Sequence, residues 1–174
     1  MPLLPRALLL ALALAASAAA PAASFRGVVT HVTDGDTLWV RPREGGEAIE
    51  IRLLHLDAPE GCQSHGAEAK QALRERVLHQ PVRVHTEGLD DYGRQLARIR
   101  QGREDIGAWL VRQGHAWSMS FQGKPGPYAR LELRARDARR GLWALPGALD
   151  PRSFRKRFGR CQPGSRAPAA TMRG

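Results

Sequence analysis

The stretch from Ile49 to Glu60 reads IEIRLLHLDAPE and sets charged side chains into an aliphatic run. Its isoleucines and leucines predict a buried strand. Arg52 nevertheless lies inside this run, and Asp57 and Glu60 flank the turn that ends it. A strand end that delivers one cation and two carboxylates to the same place is typical of a rigidly supported functional site.

Four further segments around this stretch predict strands, because they are short, rich in β-branched residues and separated by turn sequences such as TDGD and REGGE. They are FRGVVTHV (25–32), TLWVRP (37–42), VRVHTEG (82–88) and LARIR (96–100). Three segments predict helices: AEAKQALRERVL (67–78), a short one around Ile106 that stops at Gly114, and YARLELRARDARR (128–140). This order predicts an α+β domain built on a closed or nearly closed β-barrel.

The first 23 residues predict a secretory signal peptide. Arg6 precedes an apolar run, and small residues with A-x-A-like cleavage sites follow it. A membrane anchor is the weaker alternative, because the apolar run is short for a bilayer span. We therefore expect residues 24–149 to form the folded domain and residues 150–174 a basic, partly disordered tail. The product would be secreted or periplasmic, with no membrane span after cleavage.

The chain is strongly basic, with a formal net charge of +10, and 24 of its 27 cations are arginines. A guanidinium group can donate two parallel hydrogen bonds to a phosphate. The charge therefore predicts a polyanionic partner such as DNA or RNA. Charge alone leaves two alternatives open: a basic surface that only keeps the protein soluble, and a protein that adheres to anionic cell surfaces.

Cys62 and Cys161 are the only two cysteines, and neither belongs to a C-x-x-C pair. This spacing argues against a zinc site. In an oxidising compartment, two lone cysteines favour one disulfide. We expect such a bond between the loop near Glu60 and the C-terminal tail, although the sequence does not show that the two cysteines lie close in space.

Three separated segments carry side chains suited to chemistry on a phosphate: DGDT (34–37), the stretch quoted above and DDYGR (90–94). Each is weak by itself. DGDT is equally consistent with a solvated turn, and a buried Arg52 taken in isolation is more often half of a structural ion pair.

Taken together, these segments contain every group that phosphodiester hydrolysis needs. Two arginines, Arg52 and Arg94, can neutralise charge on the non-bridging oxygens. Asp36 and Asp57 are oxygen ligands for a hard metal ion. Glu60 can act as the base for an attacking water.

Four blocks in this order resemble the staphylococcal nuclease (thermonuclease) family over residues 25–143. The blocks are VTDGDTLWV (32–40), IRLLHLDAPE (51–60), DDYGRQLARI (90–99) and LVRQGHAW (110–117). The resemblance implies a five-stranded OB-type β-barrel with three helices. It also implies a calcium-dependent nuclease that hydrolyses DNA and RNA, prefers single-stranded regions and leaves 3′-phosphate ends.

The resemblance assigns a calcium site to three residues of this chain. Asp36 and Asp57 match the family's calcium carboxylates. Ala58 falls where the family often has a threonine, and it would keep the backbone carbonyl ligand while losing a hydroxyl. Ca²⁺ is therefore the expected cofactor.

The resemblance also assigns residues to catalysis and substrate binding. Arg52 and Arg94 match the two phosphate-binding arginines, Glu60 matches the proposed general base, and Tyr92 matches an aromatic residue of the substrate pocket. Trp117 is a further candidate for stacking on a nucleotide, although core packing is the favoured interpretation of this residue.

We expect a monomer with DNA and RNA as substrates and no stable protein partner. The main alternative to an enzyme is a non-catalytic OB-fold module that binds nucleic acid, because related barrels can keep the groove without the chemistry.

Overall fold

Five strands close into a barrel in the computed structural model, which describes residues 24–144 and 146–161. The described residues form eight strands, of which the barrel uses β1, β2, β3, β5 and β6. In chain order they are β1 (Ser24–Val32), β2 (Thr37–Pro42), β3 (Ile49–Leu53), β4 (Leu56–Asp57), β5 (Pro81–Leu89), β6 (Gln95–Gln101), β7 (Glu104–Asp105) and β8 (Trp117–Ser118). The helices are α1 (Gly66–Val77), α2 (Ile106–Gln113), α3 (Ala129–Asp137) and α4 (Pro151–Phe158), with a 3-10 turn at Gly141–Trp143.

The barrel strands follow the order β3-β2-β1-β5-β6, with antiparallel pairing between neighbours. A parallel pairing of β3 with β6, which sets Arg52 opposite Leu96, closes the barrel. The two-residue strands β4 and β8 form a separate antiparallel pair. The predicted α+β fold with a five-stranded OB-type barrel is confirmed, with four helices in place of the predicted three.

One hydrophobic core fills the barrel and the space beneath the helices. Alternate residues of the strands point inward and are fully buried, as at Val29, Val40 and Ile99. Helix α1 covers one side of the core with Ala69, Leu73 and Val77, which are also fully buried. Burying one such aliphatic side chain stabilises the fold by about 1.5–3 kcal/mol. No helix within the described residues is long and apolar enough to cross a bilayer.

Helix α2 ends at Gly114, as the sequence predicts. Gly114 has a φ of 77°, in the left-handed region where glycine avoids the steric cost of a side chain. Its N–H donates to the carbonyl oxygen of Val111 at 3.0 Å. The chain can therefore leave α2 abruptly and turn back towards β8.

Helix α4 is the fourth helix, and it lies inside the segment predicted to be a partly disordered tail. Asp150 caps it by accepting a hydrogen bond from the backbone N–H of Ser153 at 2.9 Å, and Pro151 takes the first helical position. Phe154 is 5% exposed and anchors the helix to the domain. The signal peptide and the last dozen residues of the tail lie outside the described residues.

Candidate active site

A cleft of about 660 Å³ brings together the three segments singled out in the sequence. It is lined by the turn between β1 and β2, the end of β3, the loop after β4 and the turn between β5 and β6. Seven of the predicted site residues line it: Asp36, Arg52, Asp57, Ala58, Glu60, Tyr92 and Arg94. The three segments, which are spread between residues 34 and 94 of the sequence, therefore meet at one surface.

Arg52 is the most constrained side chain in the cleft. Its Nη1 donates to the carbonyl oxygens of Leu53 at 2.8 Å and Leu56 at 3.2 Å. Its Nη2 donates to Asp57 Oδ1 at 2.9 Å and lies 3.1 Å from Asp36 Oδ2. The chain reversal between β3 and β4 thus wraps around the guanidinium group and fixes its orientation.

Asp36 lies in the turn before β2 and is only 7% exposed. Asp34 Oδ1 shapes this turn by accepting the N–H of Asp36 at 3.0 Å. The Asp36 carboxylate accepts the N–H of Ala58 at 2.7 Å and the hydroxyl of Thr37 at 3.2 Å. Burial raises the pKa of Asp36 to about 7, although the neighbouring Arg52 opposes this shift.

Asp36 and Asp57 together form a donor set that suits a hard divalent cation. Their carboxylates face the same nitrogen of Arg52. Burial raises the pKa of Asp57 as well, so the ionised forms of both carboxylates are poorly solvated, and a bound cation would stabilise them. No three His, Cys, Asp or Glu side chains among the described residues form a metal-binding group. A cation here would need further oxygen ligands from the main chain or water, and Ala58 lines the cleft beside both carboxylates.

Glu60 follows β4 in a tight loop that Gln63 supports from within. The backbone N–H of Glu60 donates to Gln63 Oε1 at 3.1 Å, and the carbonyl oxygen of Glu60 accepts the N–H of Gln63 at 2.8 Å. Gln63 itself is buried. The carboxylate of Glu60 points into the cleft, where it forms an ion pair with Arg155.

Arg94 is held by Asp90, four residues earlier in the turn between β5 and β6. Asp90 accepts the backbone N–H of Arg94 at 2.9 Å and its side-chain Nε at 2.8 Å. The guanidinium also reaches Thr37 Oγ1 at 3.4 Å, beside Asp36. Tyr92, in the same turn, is 68% exposed and has the Arg94 guanidinium 5.5 Å from its ring centroid. Its ring is therefore largely open to solvent beside Arg94.

Trp117 does not reach the cleft, contrary to its candidacy for stacking. It is 8% exposed and packs edge-to-face against Trp143, with ring centroids 5.4 Å apart. Its backbone pairs with Asp57 between β8 and β4. Trp117 thus packs in the core and braces the strand that carries Asp57, which matches the core-packing interpretation.

The structure joins Cys62 to Cys161 by a disulfide, with Cα atoms 5.5 Å apart. The bond brings the C-terminal segment to the cleft, and two arginines missed in the sequence, Arg155 and Arg160, line it. The D-P-R-S sequence at residues 150–153 could have indicated that Arg155 and Arg160 belong to an ordered segment. It marks a helix start, and the basic composition of the segment obscured it.

Comparisons with known proteins agree with this geometry. Residues 50–145 match the family model described as staphylococcal nuclease homologue. The chain is 35% identical to a micrococcal nuclease of Shigella flexneri over 145 residues, covering 77% of this chain and 82% of that protein. It is 36% identical to the protein ParB of Escherichia coli over 150 residues, covering 79% and 84%. It is also 32% identical to an uncharacterized endonuclease of Haemophilus influenzae over 128 residues, covering 74% and 71%. The chain therefore belongs to the staphylococcal nuclease family.

Proposed function

We propose that this protein is an exported, calcium-dependent endonuclease that hydrolyses phosphodiester bonds in DNA and RNA. The observation that carries the proposal is the convergence of two arginines and three carboxylates on one cleft, from three separate parts of the chain. A structural role needs no such convergence. Ion pairs that only stabilise a fold do not have to face open solvent together with an exposed aromatic ring.

The two arginines have the geometry to stabilise charge on a phosphate. Arg94 lies at the cleft wall with one edge held by Asp90, and Arg52 is locked at the base. A trigonal-bipyramidal phosphorus carries more negative charge on its non-bridging oxygens than the ground state does, and fixed guanidinium donors stabilise that charge. Glu60 is the candidate base that takes a proton from the attacking water. In-line attack by this water breaks the bond to the 5′ oxygen, which takes up a proton and leaves as a 5′-hydroxyl, while the 3′ side keeps the phosphate.

Asp36, Asp57 and the backbone carbonyl of Ala58 would hold the calcium ion. The bound cation would supply positive charge against the scissile phosphate. The pKa of Asp36 is raised by burial, which means that this carboxylate is poorly stabilised as an anion by the protein alone. A cation in contact with it would favour the ionised form.

Three further features support the rest of the proposal. The exposed ring of Tyr92 can stack on an unpaired base, which favours single-stranded regions. The predicted signal peptide and the Cys62–Cys161 disulfide fit an oxidising compartment such as the periplasm or the exterior. This chain supplies both arginines and all three carboxylates proposed for catalysis, so the proposed site needs no second subunit and we propose a monomer.

The proposal is tested by digestion of single-stranded DNA, duplex DNA and RNA with the purified protein in calcium, magnesium or chelator, followed by end-group analysis. We expect cleavage in calcium, none in chelator, and 3′-phosphate ends. Glu60→Gln and Arg94→Gln should each lower kcat by about 10²–10³-fold. Arg98→Gln is the matched control, because Arg98 is exposed, pairs with Glu87 and does not line the cleft.

Two outcomes would contradict the proposed enzymatic function. Undiminished cleavage by both the Glu60 and the Arg94 variants would remove these residues from catalysis. Tight binding of single-stranded nucleic acid without cleavage in calcium would instead support the non-catalytic binding module.

A further inference from the structure

The C-terminal segment from Pro151 to Cys161, called here the basic strap, forms one wall of the cleft. Arg155, Arg160 and Cys161 of this segment line the cleft together with residues that lie between positions 34 and 94. Phe154 is buried against the domain, and this anchor directs the next residue, Arg155, towards the cleft. The strap therefore adds two guanidinium groups to the cleft that holds Arg52 and Arg94.

Arg155 contacts two of the acidic residues of the site. Its Nη1 is hydrogen-bonded to Glu60 Oε1, and its Nη2 lies 3.9 Å from Asp57 Oδ2. The only other hydrogen bonds described for Glu60 are those of its backbone with Gln63. Within the described part of the chain, Arg155 is thus the group that fixes the direction of the Glu60 carboxylate.

Arg160 contacts Tyr92 at the other end of the cleft. Its Nη2 donates to Tyr92 Oη at 2.8 Å, and its guanidinium carbon lies 5.7 Å from the ring centroid. The Tyr92 ring therefore has two arginines beside it, Arg94 and Arg160. An aromatic ring flanked by guanidinium groups offers a stacking surface for a base and bidentate donors for the phosphate attached to it.

The disulfide fastens both arginines in place. Cys62 lies two residues after Glu60, and Cys161 directly follows Arg160. The backbone N–H of Cys62 also donates to the sulfur of Cys161 at 3.0 Å. The strap is therefore held at the cleft both by the ion pairs of Arg155 and by a covalent bond.

We propose that the basic strap is part of the substrate site: Arg155 is a positioning residue for Glu60, and Arg160, with Tyr92, binds the phosphate next to the scissile one. This inference rests on the proposed nuclease function. Each linkage of a nucleic-acid strand carries one negative charge. A strand whose scissile phosphate lies at Arg52 and Arg94 therefore presents a further phosphate to the arginine at the edge of the cleft.

Steady-state kinetics separate the two roles. Arg160→Gln should raise KM about tenfold and leave kcat within twofold. Arg155→Gln should lower kcat about tenfold or more and leave KM within twofold, and Arg155→Lys should recover part of the loss, because lysine can still donate to Glu60. Arg152→Gln is the matched control: it removes the same charge from the same helix at an exposed position outside the cleft.

The disulfide gives a second, independent test. The Cys62→Ser/Cys161→Ser protein, and the wild type in reductant, should combine a lower kcat with a higher KM. Circular dichroism and thermal unfolding show whether the barrel persists, and the two arginine variants keep the inference testable if it does not. Faster turnover by Arg155→Gln or by the reduced protein would overturn the inference, because the strap would then be blocking Glu60.

A binding measurement distinguishes a wrong inference about the strap from a wrong proposal of nuclease function. The affinity of each variant for a fluorescent single-stranded oligothymidylate is measured in chelator. If wild type never cleaves but Arg160→Gln binds about tenfold more weakly than Arg152→Gln, the strap binds nucleic acid and the proposed nuclease is wrong. If wild type cleaves and the Arg155 and Arg160 variants behave like Arg152→Gln, the nuclease stands and the inference about the strap is wrong. If wild type does not cleave and the variants do not differ in affinity, the proposed nuclease function and the inference about the strap are both wrong.

Discussion

Two arginines of the same cleft are held in different ways. Arg52 has four acceptors, two backbone carbonyls and two carboxylates, arranged around its planar fork. Arg94 pairs with Asp90 in a partly exposed turn. A lysine at position 52 would have a single compact ammonium group, which cannot reach all four acceptors of Arg52. Arg52 is therefore needed for the chain reversal as well as for phosphate, whereas Arg94 is needed mainly for phosphate.

This difference predicts separable effects of two conservative substitutions. Arg52→Lys should lower the free energy of unfolding by about 1–3 kcal/mol, because buried carbonyl and carboxylate groups lose their donors. Arg94→Lys should change it by less than about 1 kcal/mol, since exposed ion pairs contribute little. Both should lower cleavage. Urea unfolding in chelator measures the first effect, and equal losses of stability in the two variants would contradict the assignment of Arg52 to the fold.

The five barrel strands and the first three helices could be predicted because their signals are local. Apolar residues alternate in the strands, and turn residues separate them, as in the DGDT segment before β2. The parallel pairing of β3 with β6 has no such signal, because the paired residues, such as Arg52 and Leu96, are distant in sequence. The order of the elements predicted a closed or nearly closed barrel, and only the family resemblance specified an OB-type barrel.

The same distinction applies to the site. The grouping of Arg52, Asp57 and Glu60 was predictable, because one strand end carries all three. The Cys62–Cys161 disulfide was expected, but the arrival of Arg155 was not, since it depends on a helix in a segment predicted to be partly disordered and on its buried Phe154. Trp117 shows the reverse case: its sequence block placed it near the site, but only the packing against Trp143 shows which way its ring points.

The junction between the Glu60 loop and helix α1 depends on the absence of a side chain at Gly66. A Cβ there would lie 2.0 Å from the carbonyl oxygen of Glu60, whereas a Cβ at Gly61 would meet nothing within 4 Å. Gly66→Ala should therefore lower the free energy of unfolding by about 1–3 kcal/mol through overpacking, and it should reduce cleavage by shifting Glu60. Gly61→Ala should leave stability within about 0.5 kcal/mol. Thermal unfolding of both variants decides this, and equal stability would mean that the loop moves freely.

At the scale of the whole molecule, α1 is joined to the end of α2 by a pair of histidines. His65 Nε2 and His115 Nδ1 are 3.0 Å apart, and the two rings stack. Burial lowers the pKa of both residues, to about 4 for His115, where the neighbouring His65 adds to the effect and Glu68 opposes it. Trp109 covers one side of the pair. The contact therefore favours neutral rings and connects the pairing of the two helices to pH.

The sign of the pH effect follows from proton binding. An unfolded histidine titrates near pH 6.5, so above that value both states are neutral and the contact contributes fully. Between pH 6.5 and about 4 the unfolded chain takes up protons that the folded protein does not, and stability falls. The stability advantage of wild type over His115→Gln should therefore shrink by roughly 1 kcal/mol between pH 7 and pH 5, after allowance for partial exposure.

Urea unfolding of wild type and His115→Gln at pH 7, 6 and 5 measures this difference. Carboxyl groups that are common to both proteins, including Asp36, cancel in the comparison, so the change isolates the histidine pair. His79→Gln is the control for loss of a histidine outside the pair. A gap between wild type and His115→Gln that stays constant from pH 7 to pH 5 would mean that His115 takes up its proton equally well in the folded protein. The stacked rings could then not be what keeps α1 and α2 together.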